Sequence, residues 1–236
     1  MSLSVVRLFP LIIFLFCFFI GAAPALAQRT VRTPVADGFD LPVGPPDAKG
    51  YYMARGFRAS SHLGEDWNGV GGGNSDLGDP IYNIGHGVVV FARDVRLGWG
   101  NVVIIRHAYR DGGKVKLIDS LYGHLQRVDV KEGQRVQRGQ KIGTMGNNRG
   151  MYSAHLHFEI RHNLKVGMTR TAYPRDLTAY HRPTPWIKER RQLRGGGSAS
   201  IPVDTFTDTR TFGAPTNEAR LGYTRETPRG PGRARR

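Results

Sequence analysis

The segment His155-Leu156-His157-Phe158-Glu159-Ile160 alternates polar and apolar residues, the pattern of a half-buried β-strand. Leu156, Phe158 and Ile160 then face a core, and His155, His157 and Glu159 share the other side. Similar short runs fill the chain from Pro80 onward. Ile81–Ile84 and Gly87–Ala92 read as paired strands, Asn101–His107 as a buried strand and Lys114–His124 as another. Between Val128 and Gly143, very short strands alternate with turns. No long helical period appears, so the pattern predicts an all-β domain.

The flanks read differently. Residues 28–50 carry Pro34, Pro42, Pro45 and Pro46 among glycines, which predicts an irregular lead-in packed on the domain edge at most. The domain is expected over 51–186, with Tyr173–Leu177 and Pro183–Trp186 completing it. Residues 187–236 read as a basic low-complexity tail. It contains a Gly195–Ser200 linker and ends in Arg233-Ala234-Arg235-Arg236, and disorder is expected from about residue 190. The glycine run from Gly69 to Asp79 lacks the Gly-Lys-Ser/Thr ending of a phosphate loop and opens no helix. It reads as a flexible loop at the rim of a cleft.

Residues 1–27 have the form of a secretory signal peptide: Arg7, an apolar run from Leu8 to Ile20, then Ala25-Leu26-Ala27 as a cleavage site. The mature chain then begins at Gln28. The alternative is an uncleaved anchor, because Leu8–Ala27 is long enough to span a bilayer. Either reading predicts export to a periplasm, cell envelope or extracellular space. The only cysteine, Cys17, lies inside the apolar run behind Phe14-Leu15-Phe16, unlike a lipoprotein signal. Cleavage leaves no thiolate ligand and no disulfide. The chain has 34 Lys+Arg against 19 Asp+Glu, a net charge of +15, which favours an anionic partner. Export argues against nucleic acid and for an acidic wall polymer or membrane surface, with the tail as an electrostatic tether.

Three short motifs carry candidate chemistry. His62-Leu63-Gly64-Glu65-Asp66 places an imidazole and a carboxylate on one face if the segment is extended, with Gly64 leaving room for an ion. Leu121-Tyr122-Gly123-His124-Leu125 is an alternating run that puts Tyr122 and His124 together. His155-Leu156-His157 supplies two imidazoles on one strand face. Alternation turns Glu65 away from His62, so Asp66 is the preferred carboxylate. His86, His107, His162 and His181 match none of these patterns and read as structural or exposed. There is no His-Glu-x-x-His motif that would nominate a glutamate base.

In that order and spacing, the three motifs resemble the lysostaphin/LytM-type zinc metallopeptidases, which cut peptide bonds in peptidoglycan. The resemblance covers roughly residues 50–165. It implies a compact antiparallel β-sandwich with short strands, and one Zn2+ at the floor of an open groove. It implies His62, Asp66 and His157 as metal ligands, and His124 and His155 as the proton-transfer pair, with base and acid unassigned. Glu159 is expected to make a supporting or surface contact. Some members use an upstream tyrosine to stabilise the oxyanion, at a position that falls here near Gly56; Tyr51, Tyr52 and Tyr122 are substitutes. The expected protein is a monomeric peptidoglycan endopeptidase. The rival is a non-catalytic LytM-like activator of another wall hydrolase, which the retention of all five site residues argues against. A carrier domain related to lipoyl-type folds, suggested by the turns of Gly133–Gly143, fits neither export nor the His-x-Gly-x-Asp segment. A self-inhibited enzyme would place residues 28–50 over the groove.

Overall fold

The computed structural model describes residues 29–59, 61–96, 98–162 and 178–203. The signal segment 1–27, Cys17, Tyr173–Leu177 and the arginine-rich end lie outside them. In chain order the strands are β1 (Thr30–Pro34), β2 (Tyr51–Arg55), β3 (Glu65–Gly69), β4 (Pro80–Tyr82), β5 (Gly87–Asp94), β6 (Asn101–Asp111) and β7 (Lys114–Leu125). There follow β8 (Arg127–Val128), β9 (Arg135–Val136), β10 (Lys141–Thr144), β11 (Leu156–Arg161), β12 (Tyr180–His181), the short helix α1 (Pro183–Lys188) and β13 (Ser198–Pro202). No described helix is long and apolar enough to cross a membrane.

The largest sheet runs β2-β3-β11-β7-β6-β5-β9, with β12 also paired to β11. A second sheet runs β4-β10-β8 and a third pairs β1 with β13. Every ladder between named strands is antiparallel. The all-β antiparallel expectation therefore holds. The main core lies between the large and the three-stranded sheets. Val89, Val103, Tyr122, Leu156, Phe158 and Ile160 of one meet Ile81 and Ile142 of the other. Full burial of each such side chain contributes about 1.5–3 kcal/mol. Leu156, Phe158 and Ile160 are the apolar phase of the organising strand. Their burial fixes its register, because a slip of one residue would turn the histidines inward.

The edges of the folded unit differ from those expected. Val35, Ala36, Phe39, Leu41 and Val43 are buried, and Phe39 packs on Trp186 with ring centroids 4.8 Å apart. The prolines and glycines of 28–50 hide these apolar positions because they follow no single period. The start of the expected tail is folded as well. Ile187 and Ile201 are buried, and the whole of β13 pairs with β1, from Thr30↔Pro202 to Pro34↔Ser198. A Ser/Ala strand whose partner is most of the chain away has no local signature. The lead-in consequently packs into the core.

A buried ion pair ties the third sheet to the first. Arg106 donates from Nε and Nη2 to both Asp119 oxygens, at 2.7 and 2.8 Å, and from Nη1 to the Pro202 carbonyl at 3.0 Å. Ile201 packs beside this contact on Val88 and Ala108. Ile201→Ala is expected to cost about 2–4 kcal/mol, seen as a lower denaturant midpoint. Truncation at residue 195 should also lower it; a truncated protein as stable as the full chain would show that β13 contributes nothing.

Candidate metal centre

The site is built on one row of residues across the large sheet. His157 pairs with Asp66 on β3 and with Gly123 on β7. Directly opposed residues share a sheet face, so Asp66 and His157 emerge side by side. His62 arrives from a bend before β3, where its backbone bridges Arg58. The extended segment expected for 62–66 is therefore only half realised: Glu65 and Asp66 are in the strand, and His62 is not. Gly64 serves a purpose other than the one expected. A side chain there would lie 2.5 Å from the Phe158 carbonyl and 3.0 Å from the His157 ring. The space belongs to β11, not to an ion.

His62 Nε2, Asp66 Oδ1 and His157 Nδ1 converge at 2.9–3.1 Å from one another. A tetrahedral ion with bonds of about 2.0–2.1 Å holds its donors about 3.3 Å apart. This triangle would admit zinc by opening a few tenths of an ångström. The far nitrogens fit the same purpose. His62 Nδ1 faces the Gly56 carbonyl at 3.0 Å, and His157 Nε2 faces Glu159 Oε1 at 2.9 Å. Neither oxygen carries a proton to give, so each ring donates there and keeps its lone pair for the centre. Glu159 is buried and is held in turn by Arg161 Nε at 2.6 Å. It is a supporting contact of the kind expected. Glu65 turns away and accepts from Thr184 N, Thr184 Oγ1 and Trp67 Nε1.

The electrostatics match an anionic centre. Burial opposes charge on Asp66, but hydrogen bonds from His157 and His62 hold its carboxyl well below the usual range. Burial likewise opposes charge on His157, and the hydrogen bonds with Asp66 and Glu159 outweigh it, raising the imidazole to about 9. Carboxylates that stabilise a positive charge on the His157 ring would stabilise a cation in its place.

His124 and His155 stand next to this triad without joining it. Their rings are 4.7 Å apart, and His124 is 5.8 Å from His157. The Nδ1 atoms of both are spent on backbone carbonyls, Trp99 at 3.2 Å and Ser153 at 2.8 Å, which leaves Nε2 of each outside those bonds. Burial lowers the pKa of both, so each is a neutral imidazole able to accept a proton. The expectation that Tyr122 shares a face with His124 fails. Tyr122 points into the core against Phe158, with its hydroxyl hydrogen-bonded among Ser120, Ile84 and Asn83. His124 has φ 62°, and the β6–β7 ladder slips register beside it, between Asn101 and Val103. This left-handed bulge swings the imidazole to the opposite side of the sheet.

Of the other tyrosines considered, Tyr51 is engaged with Asp79 at 2.7 Å and Tyr52 is exposed. Tyr152, which the sequence motifs do not single out, lies 5.1 Å from His124 and 5.7 Å from His155 between ring centroids. Trp99 flanks the other side, 5.4 Å from His157. The only available signal for both was aromatic character in a loop near a histidine. The glycine-rich loop is anchored: Asn74 Oδ1 accepts from Ala154 N at 2.8 Å, and Asp76 Oδ2 from Gly69 N at 2.7 Å. His107 is structural, as expected, donating to the His86 carbonyl and bonded to Ser120. His162 and His181 pair with each other, 5.0 Å between rings, away from the triad.

Residues 62–167 match the model of peptidase family M23. The lipoprotein NlpD of Yersinia enterocolitica is 41% identical over 88 residues, 37% of this chain and 82% of that protein. The chain belongs to peptidase family M23. The peptidoglycan DD-endopeptidase ShyA of Vibrio cholerae is 37% identical over 103 residues, 44% of this chain. The murein hydrolase activator NlpD of Escherichia coli is 39% identical over 100 residues, 40% of this chain. The chain spans only 21% of ShyA and 24% of that NlpD. A zinc-containing peptidase from Vibrio cholerae superimposes with a TM-score of 0.43 at 29% identity, over 53% of this chain and 37% of that one.

Metal analysis separates the two histidines of β11. If His62, Asp66 and His157 hold a zinc ion, His157→Ala and Asp66→Ala would each remove one of three protein bonds to it, so zinc content should fall, and with it any peptidase activity. His155→Ala and His124→Ala leave those bonds in place. They should purify with near-stoichiometric zinc and lose about 10²–10⁴-fold in turnover. Loss of zinc from His155→Ala together with retention by His157→Ala would reverse the assignment.

Proposed function

We propose that the protein is an exported zinc metallo-endopeptidase that hydrolyses peptide bonds in peptidoglycan cross-links or stem peptides. The observation that carries this reading is the juxtaposition of a complete His62–Asp66–His157 donor set with two further imidazoles packed beside it, His124 against His157 and His155 against His124. Donors alone would serve a structural ion. A structural site has four protein ligands, whereas a catalytic one keeps a position open.

His62, Asp66 and His157 would hold the ion, which when bound would supply Lewis acidity for the scissile carbonyl and for a water, whose pKa falls to about 7 at such sites. The chain's own residues move the protons. One of His124 and His155 takes a proton from the attacking water, and the other returns one to the departing amine. Their Nδ1 hydrogen bonds to Trp99 and Ser153 carbonyls keep Nε2 turned toward the reacting atoms. Trp99 and Tyr152 wall the groove and limit water beside the pair. The net charge of +15 suits an anionic wall, and four of the last eight residues are arginine. That end acts as a tether to wall polymer or membrane surface.

The relatives named as murein hydrolase activators support the second reading, a chain that stimulates another wall hydrolase. Mass spectrometry of defined muropeptides after incubation with the zinc-loaded protein decides between them. The peptidase reading predicts peptide fragments with a new amino and a new carboxyl terminus at one kind of amide, and none after chelation. Intact muropeptides, together with faster digestion of wall by an added murein hydrolase, would establish the activator reading. Removing residues 204–236 should leave cleavage of small soluble fragments unchanged and weaken sedimentation with whole wall, most at low salt.

A further inference from the structure

The row of residues that carries the centre does not stop at the metal ligands. Gly123, His157 and Asp66 continue across the sheet to Arg55 on β2, which is registered opposite Asp66. Directly opposed residues of an antiparallel pair share a sheet face. The ladder is irregular between Met53 and Arg55, so Ala54 and Arg55 together oppose Asp66, and Arg55 stands beside the proposed ligand at the outer edge of the sheet. Its neighbour Gly56 supplies the carbonyl that orients His62, so this part of the chain borders the candidate metal centre.

Arg55 is half-buried, and its guanidinium is alone among its kind. Every other buried or half-buried arginine among the described residues reaches a carboxylate. Arg106 has Asp119, Arg138 has Asp40, Arg161 has Glu159, Arg190 has Glu189, and Arg191 has Asp40 and Asp47. Arg55 pairs with no described carboxylate, although Asp66 is its ladder partner. The near oxygen of Asp66 is committed to His62 and His157. A partly desolvated guanidinium without an acceptor is unfavourable, and a substrate carboxylate would supply two charge-assisted hydrogen bonds in the fork geometry that arginine presents.

The geometry points to Arg55 as a specificity-determining residue that binds a free carboxylate flanking the scissile amide. The favoured substrates are thus acidic wall peptides, in place of neutral bridges or amidated stems. This rests on the peptidase reading of the same site. Arg55 contacts neither the ion nor the proton-transfer pair, so it acts on substrate choice and not on the chemical step.

The test uses the zinc-loaded full chain and two synthetic cross-link peptides, identical except that the carboxylate beside the scissile amide is free in one and a carboxamide in the other. Cleavage kinetics and calorimetric binding are measured for both. The wild type should prefer the free carboxylate by about 10- to 100-fold, mainly in KM. Arg55→Gln should erase the preference with zinc content and kcat on the amidated peptide unchanged, and Arg55→Lys should keep part of it. Arg110→Gln, the same charge loss at the far tip of the β6–β7 hairpin, should keep all of it. Equal cleavage of both peptides by the wild type, or a preference that survives Arg55→Gln, overturns the subsite and leaves the peptidase standing. Arg55-dependent binding without any cleavage does the reverse.

Discussion

The centre depends on where two imidazoles place their second nitrogen. A histidine offers a lone pair to a cation only when its proton is held elsewhere. Gly56 holds it for His62, and Glu159 holds it for His157. Glu159 is itself fixed by Arg161, inside a sheet whose opposite face is packed apolar core. A rotation of either ring would break a hydrogen bond in a dry environment, which costs about 1–3 kcal/mol for the group left unmet. The buried hydrogen-bond partners and the apolar core therefore hold the donors of the candidate centre in place from behind.

The antiparallel ladder does the remaining positioning. Asp66, His157 and Gly123 lie in register on three adjacent strands, so ligands distant in sequence become nearest neighbours. Ordinary alternation places His157 and the β11 core correctly. It cannot place His124, which sits just past Tyr122 and Gly123 on β7. The left-handed backbone at that residue carries it around to the site. Regular sheet supplies the proposed ligands, and an irregularity supplies one of the proposed proton-transfer residues. Such a conformation in a side chain with a Cβ costs on the order of 1–2 kcal/mol and persists because the surrounding ladder holds it.

What could be read from the chain follows the same division. The period of β11 was local and unambiguous, so its apolar and polar faces were legible, as was the all-β class; that the polar face is buried too depends on charged partners the period does not show. The three motifs brought the five candidate residues together because each has a distinct local context. Tyr122 was misplaced because a bulge reverses alternation without changing composition. Gly64 was read as room for an ion, whereas it answers to the close passage of β11. Residues 28–50 and 187–203 were assigned outside the domain because their burial depends on pairing across the whole chain. Tyr152 and Arg55 escaped notice because nothing in their immediate sequence announces a groove.

The division of labour among the four histidines is the central claim, and zinc K-edge X-ray absorption on the purified protein tests it most directly. The account predicts two imidazoles and one carboxylate from the protein, with nitrogen and oxygen donors at about 2.0–2.2 Å and no sulfur. The same spectrum is predicted for His124→Ala and His155→Ala. Three or four imidazoles in the wild type, falling by one in either variant, would make a proposed proton carrier a ligand and contradict the account.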